Sequence, residues 1–551
     1  MAQVRLVVDS RDAAFVAAVE ELGGYLRRCG VDIVTSGSAQ SHAVLVFADR
    51  PGDDAAEEAL LAHAERGGAV LLAGPTVDAW RGSTRLLEAA GLGPGRRTPI
   101  HEIRVRPGPD GAEVAARFGG ELLLTDRWVP AEKVADDVEV LLTAHLGLVE
   151  HPVMTLRRTV GVVGTCTLGA GPATVSDPRY RRLVHRWLRA ALGLRDGPPI
   201  RVGLLGYGAI GAEHAAALRG VEGLELTAVA DPNPDRLAAA TGPGGQLATY
   251  EDGVSMLADA EIDLVVVSTP PNTHAEHARR VLESVRSVVV EKPLCLTVTE
   301  ADELISLAAD RGRALAVYQN RRWDADFVAL ERAVRSGLIG EVFHYESFVG
   351  GYGHPCNYWH SDEAVSGGAG YDWGSHYLDW ILALLQAPIE HVTAAAHKRV
   401  WYDVTNSDHV RVTIRFVGGA EAEFVHSDLA AVAKPKWYVL GTRGALQGDW
   451  RVESVLARSP VGNLIEDRFA PAEAPARLRL FVPAPGGGVA ETLLAIPLAA
   501  QFAFHRELAD HLLAGSPLSV PAEFSRRTVA IMEAAMASAR SGGQPIRPVV
   551  P

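Results

Sequence analysis

A chain of 551 residues is too long for one hydrophobic core and divides into about three or four domains at the usual size. Its 48% hydrophobic and 22% charged residues describe a globular protein and exclude a largely disordered one. A formal charge of -14 and a pI near 5.8 exclude a nonspecific nucleic-acid binder, which needs a basic surface to displace counterions from phosphates. No apolar run reaches the roughly 18 residues of a membrane span. The start, Met1 to Leu6, enters a strand-like run without the basic head and apolar stretch of a secretory signal, so a cytoplasmic location is expected. Cys29, Cys166, Cys295 and Cys356 are scattered outside any zinc-like spacing and read as reduced thiols.

In chain order, residues 1–195 alternate short apolar runs (Val4–Val8, Val31–Val34, Ala43–Phe47, Ala69–Leu72) with helix-like segments over about 12–28 and from Asp53, which predicts an α/β array with a parallel sheet. No G-x-G-x-x-G follows its first strand. A helix from about Asp177 to Leu194 closes this domain, and the turn formers of 195–199 suggest a linker. A second βαβ array spans 200–319, with strands expected at Ile200–Leu205, Leu224–Ala230, Asp263–Ser268, Val288–Glu291 and Leu315–Gln319. From 320 to 551 the runs lengthen and alternate in polarity, as in Val342–Phe348, His409–Phe416 and Ala420–His426. These predict a different, α+β domain with a mostly antiparallel sheet. The Pro- and Gly-rich stretch 451–495 reads as an insertion or long loops.

Behind the strand Arg201–Leu205 stands Gly206-Tyr207-Gly208-Ala209-Ile210-Gly211, followed by a helical segment. The first glycine makes a tight turn, the second admits a pyrophosphate to the backbone and the third lets helix and strand pack closely, with the helix N-terminus facing the phosphates. Asp231, 20 residues beyond Gly211, is placed to accept from adenosine ribose hydroxyls. It favours NAD over NADP, although Arg236 is near enough to reach a 2'-phosphate, so NADP stays open. Thr269, Pro270, Asn272 and His274, after another strand, complete the expected cofactor edge with Glu291 and Lys292; Asn272 equally suits the start of a helix.

Lys292 ends a strand at that same edge, where a cation beside a nicotinamide can bind a substrate hydroxyl and stabilise a developing alkoxide. Gly367 and Gly368 lead into a helical segment with Asp372 and His376 four residues apart, on one helical face. Histidine suits removal of a hydroxyl proton near neutral pH, and a carboxylate beside it would orient it and support its charged form.

Residues 200–551 resemble the Gfo/Idh/MocA family (glucose-fructose oxidoreductase, inositol dehydrogenase and rhizopine catabolism). The resemblance is carried by Gly206-x-Gly208-x-x-Gly211, Glu291-Lys292-Pro293, and the Gly-Gly-x-x-x-Asp-x-Gly-x-His-x-x-Asp run from Gly367 to Asp379. It implies a Rossmann NAD(P)-binding domain followed by an open-sheet domain that often forms oligomer interfaces, and so a homo-oligomer. It also implies hydride transfer between nicotinamide and a hydroxyl-bearing carbon of a sugar, cyclitol or related polyol. Lys292 would orient substrate, His376 act as acid/base and Asp372 as its partner. The segment after the last Rossmann strand makes Asn320 and Arg321 substrate candidates. Trp359 and His360, in a loop with Tyr352, Asn357 and Tyr358, offer stacking faces and donors, though such aromatics also serve packing. His354 and His360 lack a supporting carboxylate or thiol spacing, so no metal is assigned.

Residues 1–195 are similar, more weakly, to the trehalose-utilisation (ThuA-like) family, whose flavodoxin-like fold resembles class I glutamine amidotransferases. The likeness rests on strand order, on Asp137–Leu142 and on Gly161–Gly169. Relatives often carry histidine after the Leu-Gly pair where this chain has Ala170, and Gly164-x-Cys166 lacks the second glycine of a nucleophile elbow. Cys166 therefore reads as a buried strand thiol, and the domain as noncatalytic. Two rival activities remain: a redox glycosidase or lyase that keeps its cofactor bound, and a non-enzymatic sugar or dinucleotide sensor, against which the retention of Lys292, Asp372 and His376 argues.

Overall fold

The computed structural model describes residues 2–550 except 35–40, 94, 112–113, 115–121, 134, 195–197, 242–246, 357, 452, 459–463, 470–473 and 498–500. The expected linker at 195–197 and Asn357 lie outside the described residues. The chain forms two compact units, one of Met1–Pro199 with Gly220–Gly223 and Ala500–Pro517, the other of Ile200–Arg219, Leu224–Ala499 and Leu518–Pro551.

The first unit carries β1 (Ala2–Asp9), β2 (Val31–Val34), β3 (Ala43–Ala48), β4 (Ala69–Ala73), β5 (His101–Pro107), β6 (Leu122–Asp126), β7 (Val138–Leu146), β8 (Val149–Arg158) and β9 (Val162–Cys166), in the order β2-β1-β3-β4-β9-β8-β7-β5-β6. The first five are mutually parallel, in the 2-1-3-4-5 order of flavodoxin-like sheets, and β8, β7, β5 and β6 extend them antiparallel. β3, β4 and β9 are buried throughout because helices cover both faces, so they read as unbroken apolar runs. Asp12, Asp53 and Asp177 cap helices by accepting from their first free amides. The helix Ala503–Ala514 also belongs to this unit, although the sequence reads all of 320–551 as one domain. Its Ala514 joins the core and its Asp510 accepts from Arg182 Nε at 3.0 Å, a partnership 328 residues apart that no local pattern announces.

The second unit opens with β10 (Ile200–Leu205), β11 (Leu224–Ala230), β12 (Ala248–Tyr250), β13 (Leu264–Val267), β14 (Ser287–Glu291) and β15 (Leu315–Tyr318), all parallel in the order β12-β11-β10-β13-β14-β15. This is the 3-2-1-4-5-6 Rossmann order, and the turn after β10 lies at the point where strand order reverses. An eight-stranded sheet follows, built from β16 (Val342–Gly350), β17 (Ile389–His397), β18 (His409–Phe416), β19 (Glu421–Ser427), β20 (Trp437–Gly441), β21 (Gly444–Asp449), β24 (Arg477–Pro483) and β25 (Val489–Leu493). Its order is β17-β18-β19-β16-β20-β21-β24-β25, antiparallel except for the β16–β19 pair. One continuous core runs from the Rossmann strands to the inner face of this sheet, through Tyr377, Trp380, Phe424 and Trp437.

The described part of 451–495 is built of strands and not of long loops. β22 (Glu453–Arg458) and β23 (Leu464–Phe469) pair as a hairpin, while β24 and β25 add two strands to the large sheet. The alternation of buried Leu478 and Leu480 with outward Arg477 and Arg479 is a strand signature, and the Pro/Gly cluster beside it is a hairpin turn with Gly487 and Gly488 at positive φ.

Candidate functional site

The glycine turn carries the chain from β10 into the helix Ala209–Gly220, tight against the residue that follows the parallel neighbour β13. Gly206 has φ +93°, and a Cβ on it would lie 2.7 Å from the Ser268 carbonyl oxygen; one on Gly211 would meet the Gly206 oxygen at 2.3 Å. Gly208 is different: a Cβ there would meet no protein atom within 4 Å. Internal packing gives no reason for glycine at 208, whereas backbone approach by a dinucleotide pyrophosphate does.

Asp231, at the end of β11, is buried; its Oδ2 accepts from Tyr207 N at 2.7 Å and its Oδ1 from Asn233 N at 2.8 Å. Arg236 Nη1 stands 3.5 Å from Oδ2. The carboxylate thus ties the glycine turn to the β11 edge and retains lone pairs for a ribose hydroxyl. Ser268 Oγ donates to the Gly206 carbonyl at 2.7 Å, linking the turn to the loop after β13.

That loop begins a cavity of about 510 Å³. Of the sequence candidates, Ile210, Thr269, His274, Glu291, Lys292, Asn320, Arg321, Trp359, His360, Asp372 and His376 line it. Gly206, Tyr207, Gly208, Ala209, Gly211, Asp231, Arg236, Pro270 and Asn272 lie outside its lining, and Asn272 is exposed in the turn Pro271–Thr273 before the helix His274–Glu283.

Two of the expected cofactor contacts also have protein partners. The ring nitrogens of His274 lie 2.7 Å from the Pro293 oxygen and 2.8 Å from the Thr269 oxygen, so this buried imidazole braces two loops to each other. Burial lowers its pKa and outweighs the two carbonyls. Glu291 Oε1 lies 2.9 Å from His214 Nε2, and its Oε2 accepts from Lys292 N at 3.1 Å, which fixes the strand end that carries the lysine. Both side chains face protein partners because they are buried polar groups needing internal ones.

Lys292 Nζ donates to Asp372 Oδ1 at 2.8 Å and to the Asp372 carbonyl at 3.2 Å. The expected pairing of Asp372 with His376 is therefore replaced by one with Lys292. The backbone explains it. The helical segment Ala369–Asp372 breaks at Trp373 before the helix Gly374–Leu384, and His376 N donates to the Trp373 oxygen at 3.1 Å. The Asp372 carbonyl, released from the i to i+4 ladder, accepts instead from Lys292 and from Ser375 Oγ at 2.7 Å. Burial pushes the Asp372 carboxyl up, but the Lys292 ammonium, with smaller effects from His360 and His426, holds it below the usual carboxylate range.

His376 is 5% exposed, and its Nδ1 has no hydrogen-bond partner among the described residues, which leaves Nε2 as the nitrogen available at the cavity. Burial first, then the Lys292 and Arg321 cations, press its pKa well below 6.5. The imidazole is neutral at physiological pH, contrary to the expectation that a carboxylate supports its charged form. Arg321 lies over the Trp373 ring at 5.1 Å and pairs with Asp324 at 3.2 Å; burial raises that carboxyl to about 6 against the pull of Arg321. Trp359 and His360 stack with centroids 3.6 Å apart, and the His360 carbonyl accepts from Asn406 Nδ2 at 2.7 Å.

Sequence reasoning missed Asn406, His426 and Asp428, which also line the cavity. His426 carried a weak signal: it occupies the inward register of β19 after Ala422 and Phe424, where a polar residue needs a reason. Among the described residues no group of three or more His, Cys, Asp or Glu could hold a metal; His354 pairs with Asp403 at 2.7 Å. Nor is any described helix long and apolar enough to cross a membrane.

Residues 200–319 match the family model "Oxidoreductase family, NAD-binding Rossmann fold", and 327–447 match the "GFO/IDH/MocA C-terminal domain". The uncharacterized oxidoreductase YdgJ of Escherichia coli is 31% identical over 249 residues, 45% of this chain and 70% of the relative. The scyllo-inositol 2-dehydrogenase (NADP(+)) IolW of Bacillus subtilis is 24% identical over 350 residues, 63% of this chain and 96% of the relative. Among solved structures, an NAD-binding protein from Listeria innocua superposes with a TM-score of 0.53 at 27% identity, covering 63% of this chain and 97% of its own.

Proposed function

The chain belongs to the GFO/IDH/MocA oxidoreductase family, and on that premise we propose that its cavity oxidises or reduces a hydroxyl-bearing carbon of a sugar, cyclitol or related polyol. The protein is an NAD(P)-dependent oxidoreductase. What carries the substrate reading is the meeting, in one cavity, of the Lys292–Asp372 pair with the neutral imidazole of His376. The relative IolW, named for scyllo-inositol, supports a cyclitol or sugar.

Bound nicotinamide supplies the two-electron hydride acceptor. Lys292, oriented by Asp372, donates to the substrate hydroxyl and lowers the energy of the alkoxide as it forms. His376 takes the hydroxyl proton at Nε2; as the carbon gives up its hydride, C–H and O–H bonds become a carbonyl, and the reverse reduction returns the proton from the same nitrogen. Burial, and then Lys292 and Arg321, lower the basicity of His376, which keeps it unprotonated and ready to accept. Asn320, Arg321, Trp359 and His360 surround the remaining hydroxyls. On the cofactor side the Gly206–Gly211 turn would hold the pyrophosphate, and Asp231 would accept from the ribose hydroxyls and favour NAD. Arg236, beside Asp231, is the group through which NADP would be admitted.

We further propose that residues 1–195 are a noncatalytic ThuA-like domain. Cys166 is fully buried at the end of β9, and burial pushes its thiol up to about 12, so it is no nucleophile. The enzyme is read as a cytoplasmic homo-oligomer. The test is spectroscopic: purified protein with NAD or NADP and a panel of free sugars, inositols and glycosides, followed by the near-ultraviolet absorbance of reduced nicotinamide. Steady reduction with a free polyol supports the reading. Glycoside cleavage without net reduction, or cofactor binding with no turnover, refutes it.

A further inference from the structure

Besides His376 and the bracing His274, the cavity holds a further buried imidazole that this reaction scheme does not use. Strand alternation places Ala422, Phe424 and His426 on the inner face of β19. Phe424 packs against Tyr377, with ring centroids 5.3 Å apart, and would touch a Cβ on Gly374 at 3.4 Å, so it lies under the first turn of the helix that carries His376. His426, one pleat further on, reaches the cavity wall, where it and Asp428 both stand.

His426 is 7% exposed, and its Nδ1 is buried with no hydrogen-bond partner among the described residues. Asp428 stands on the Nε2 side of the ring, so the neutral imidazole of His426 carries its proton on Nε2, where the carboxylate attracts it, and not on the enclosed Nδ1. Nε2–H then faces Asp428 Oδ1 at 3.6 Å. That separation is too long for a direct hydrogen bond, and it suits one oxygen within bonding distance of both atoms.

We propose that His426 Nε2 and Asp428 Oδ1 form a fork for a second hydroxyl of the substrate, His426 donating to its oxygen and Asp428 accepting its proton. The proposal rests on the polyol reading of the cavity and narrows it: the substrate carries at least two hydroxyls, one at the reacting carbon between Lys292 and His376 and one held at the β19 end. Charge around the fork fits a neutral partner. Burial lowers the His426 pKa despite Asp428 and Asp372, and raises that of Asp428 despite His426; His409 of β18 is the further imidazole that feels His426. An anionic group in the ligand would meet the like charge of Asp428, whereas a hydroxyl meets none and supplies both the acceptor and the donor that the two prongs need.

The experiment compares wild type, His426→Ala, His426→Leu and His426→Gln with scyllo-inositol, myo-inositol and D-glucose, and then with each mono-deoxy analogue of whichever polyol is turned over. Cofactor affinity is measured for every variant as a control of the fold. We expect His426→Ala to lower kcat/KM on the parent polyol about 10- to 100-fold, mainly through KM, as loss of a bond made equally in ground and transition states does. For one deoxy analogue the wild type is already that poor, and the substitution adds almost nothing further. His426→Gln, which keeps an N–H donor, recovers part of the loss. His426→Leu fills the ring volume without a donor and carries the comparison if the alanine variant does not fold. An equal loss on the parent and on every deoxy analogue, or no loss at all, overturns the fork while leaving the dehydrogenase intact. If the wild type binds cofactor and turns over no polyol, the reading beneath it has failed and the fork falls with it.

Discussion

Lys292→Met isolates the charge at the centre of the site, since methionine retains an apolar stem of similar reach. Two charges 2.8 Å apart at an effective dielectric of about 20 attract by about 6 kcal/mol, an upper bound. The side chains are 19% and 30% exposed, so water screens part of this, and the net loss on breaking the pair is about 1–3 kcal/mol at neutral pH. Its pH dependence follows from Asp372. In the wild type the folded carboxyl lies below its unfolded value near about 3.9, so the pair's stabilisation is full above that value and is lost as pH falls through the folded pKa. Without Lys292, burial is the leading effect and lifts the folded carboxyl above its unfolded value, which makes the charged state a cost that grows as pH rises from about 4. The gap in stability between wild type and variant should therefore be widest near pH 7 and narrow towards pH 4. Urea or thermal unfolding across pH 4–8 reads this out, and kcat/KM should fall about 10²- to 10³-fold over the same range. A gap of constant size at all pH values, or an unchanged rate, would refute the pairing as described.

Gly208→Ala should leave the melting temperature nearly unchanged, because nothing in the protein meets the added Cβ, yet weaken NAD(H) binding at least about 10-fold by calorimetry. The acid limb of kcat/KM should lie well below pH 6.5 and shift upward in Lys292→Met, since the ammonium is the largest charge effect holding His376 unprotonated. Lys436, 1% exposed, pairs with Asp326 at 2.7 Å beneath Trp437, and Lys436→Met strands that carboxylate; a loss of about 3–5 kcal/mol is expected in denaturant unfolding, partly restored in the double variant with Asp326→Asn. Cys166→Ala should retain full turnover in the coupled nicotinamide assay, because the thiol is buried and pushed up to about 12.

The cofactor half of the molecule was legible because its chemistry is local. A glycine turn, an acidic residue at the next strand end and unbroken Val runs each need only neighbours in sequence, and β10, β11, β13, β14 and β15 appear close to where their apolar runs lie; the three-residue β12, Ala-Thr-Tyr at the sheet edge, has no such run and was not expected. The catalytic candidates were also legible, since Lys292 and the Gly367–Asp379 run are compact motifs. How they pair was not. The spacing of Asp372 and His376 suggested one helical face, and only the break at Trp373 turns the carboxylate towards a lysine 80 residues earlier. The bracing roles of Glu291 and His274 were hidden for the same reason: the protein partner of a strand-edge polar residue is far away in sequence. His426 and Asp428 went unnoticed because a single histidine at an inward strand position has no motif. β24 and β25 were hidden by the prolines and glycines of their own turn.

The most direct test of the central claim is the fate of one hydrogen atom. A polyol carrying deuterium on the oxidised carbon, incubated with the enzyme and NAD or NADP, should yield reduced nicotinamide labelled with deuterium in step with carbonyl formation, as mass spectrometry of the isolated cofactor would show. Label appearing in water, or a product formed while the nicotinamide stays unlabelled, would contradict direct hydride transfer in this cavity.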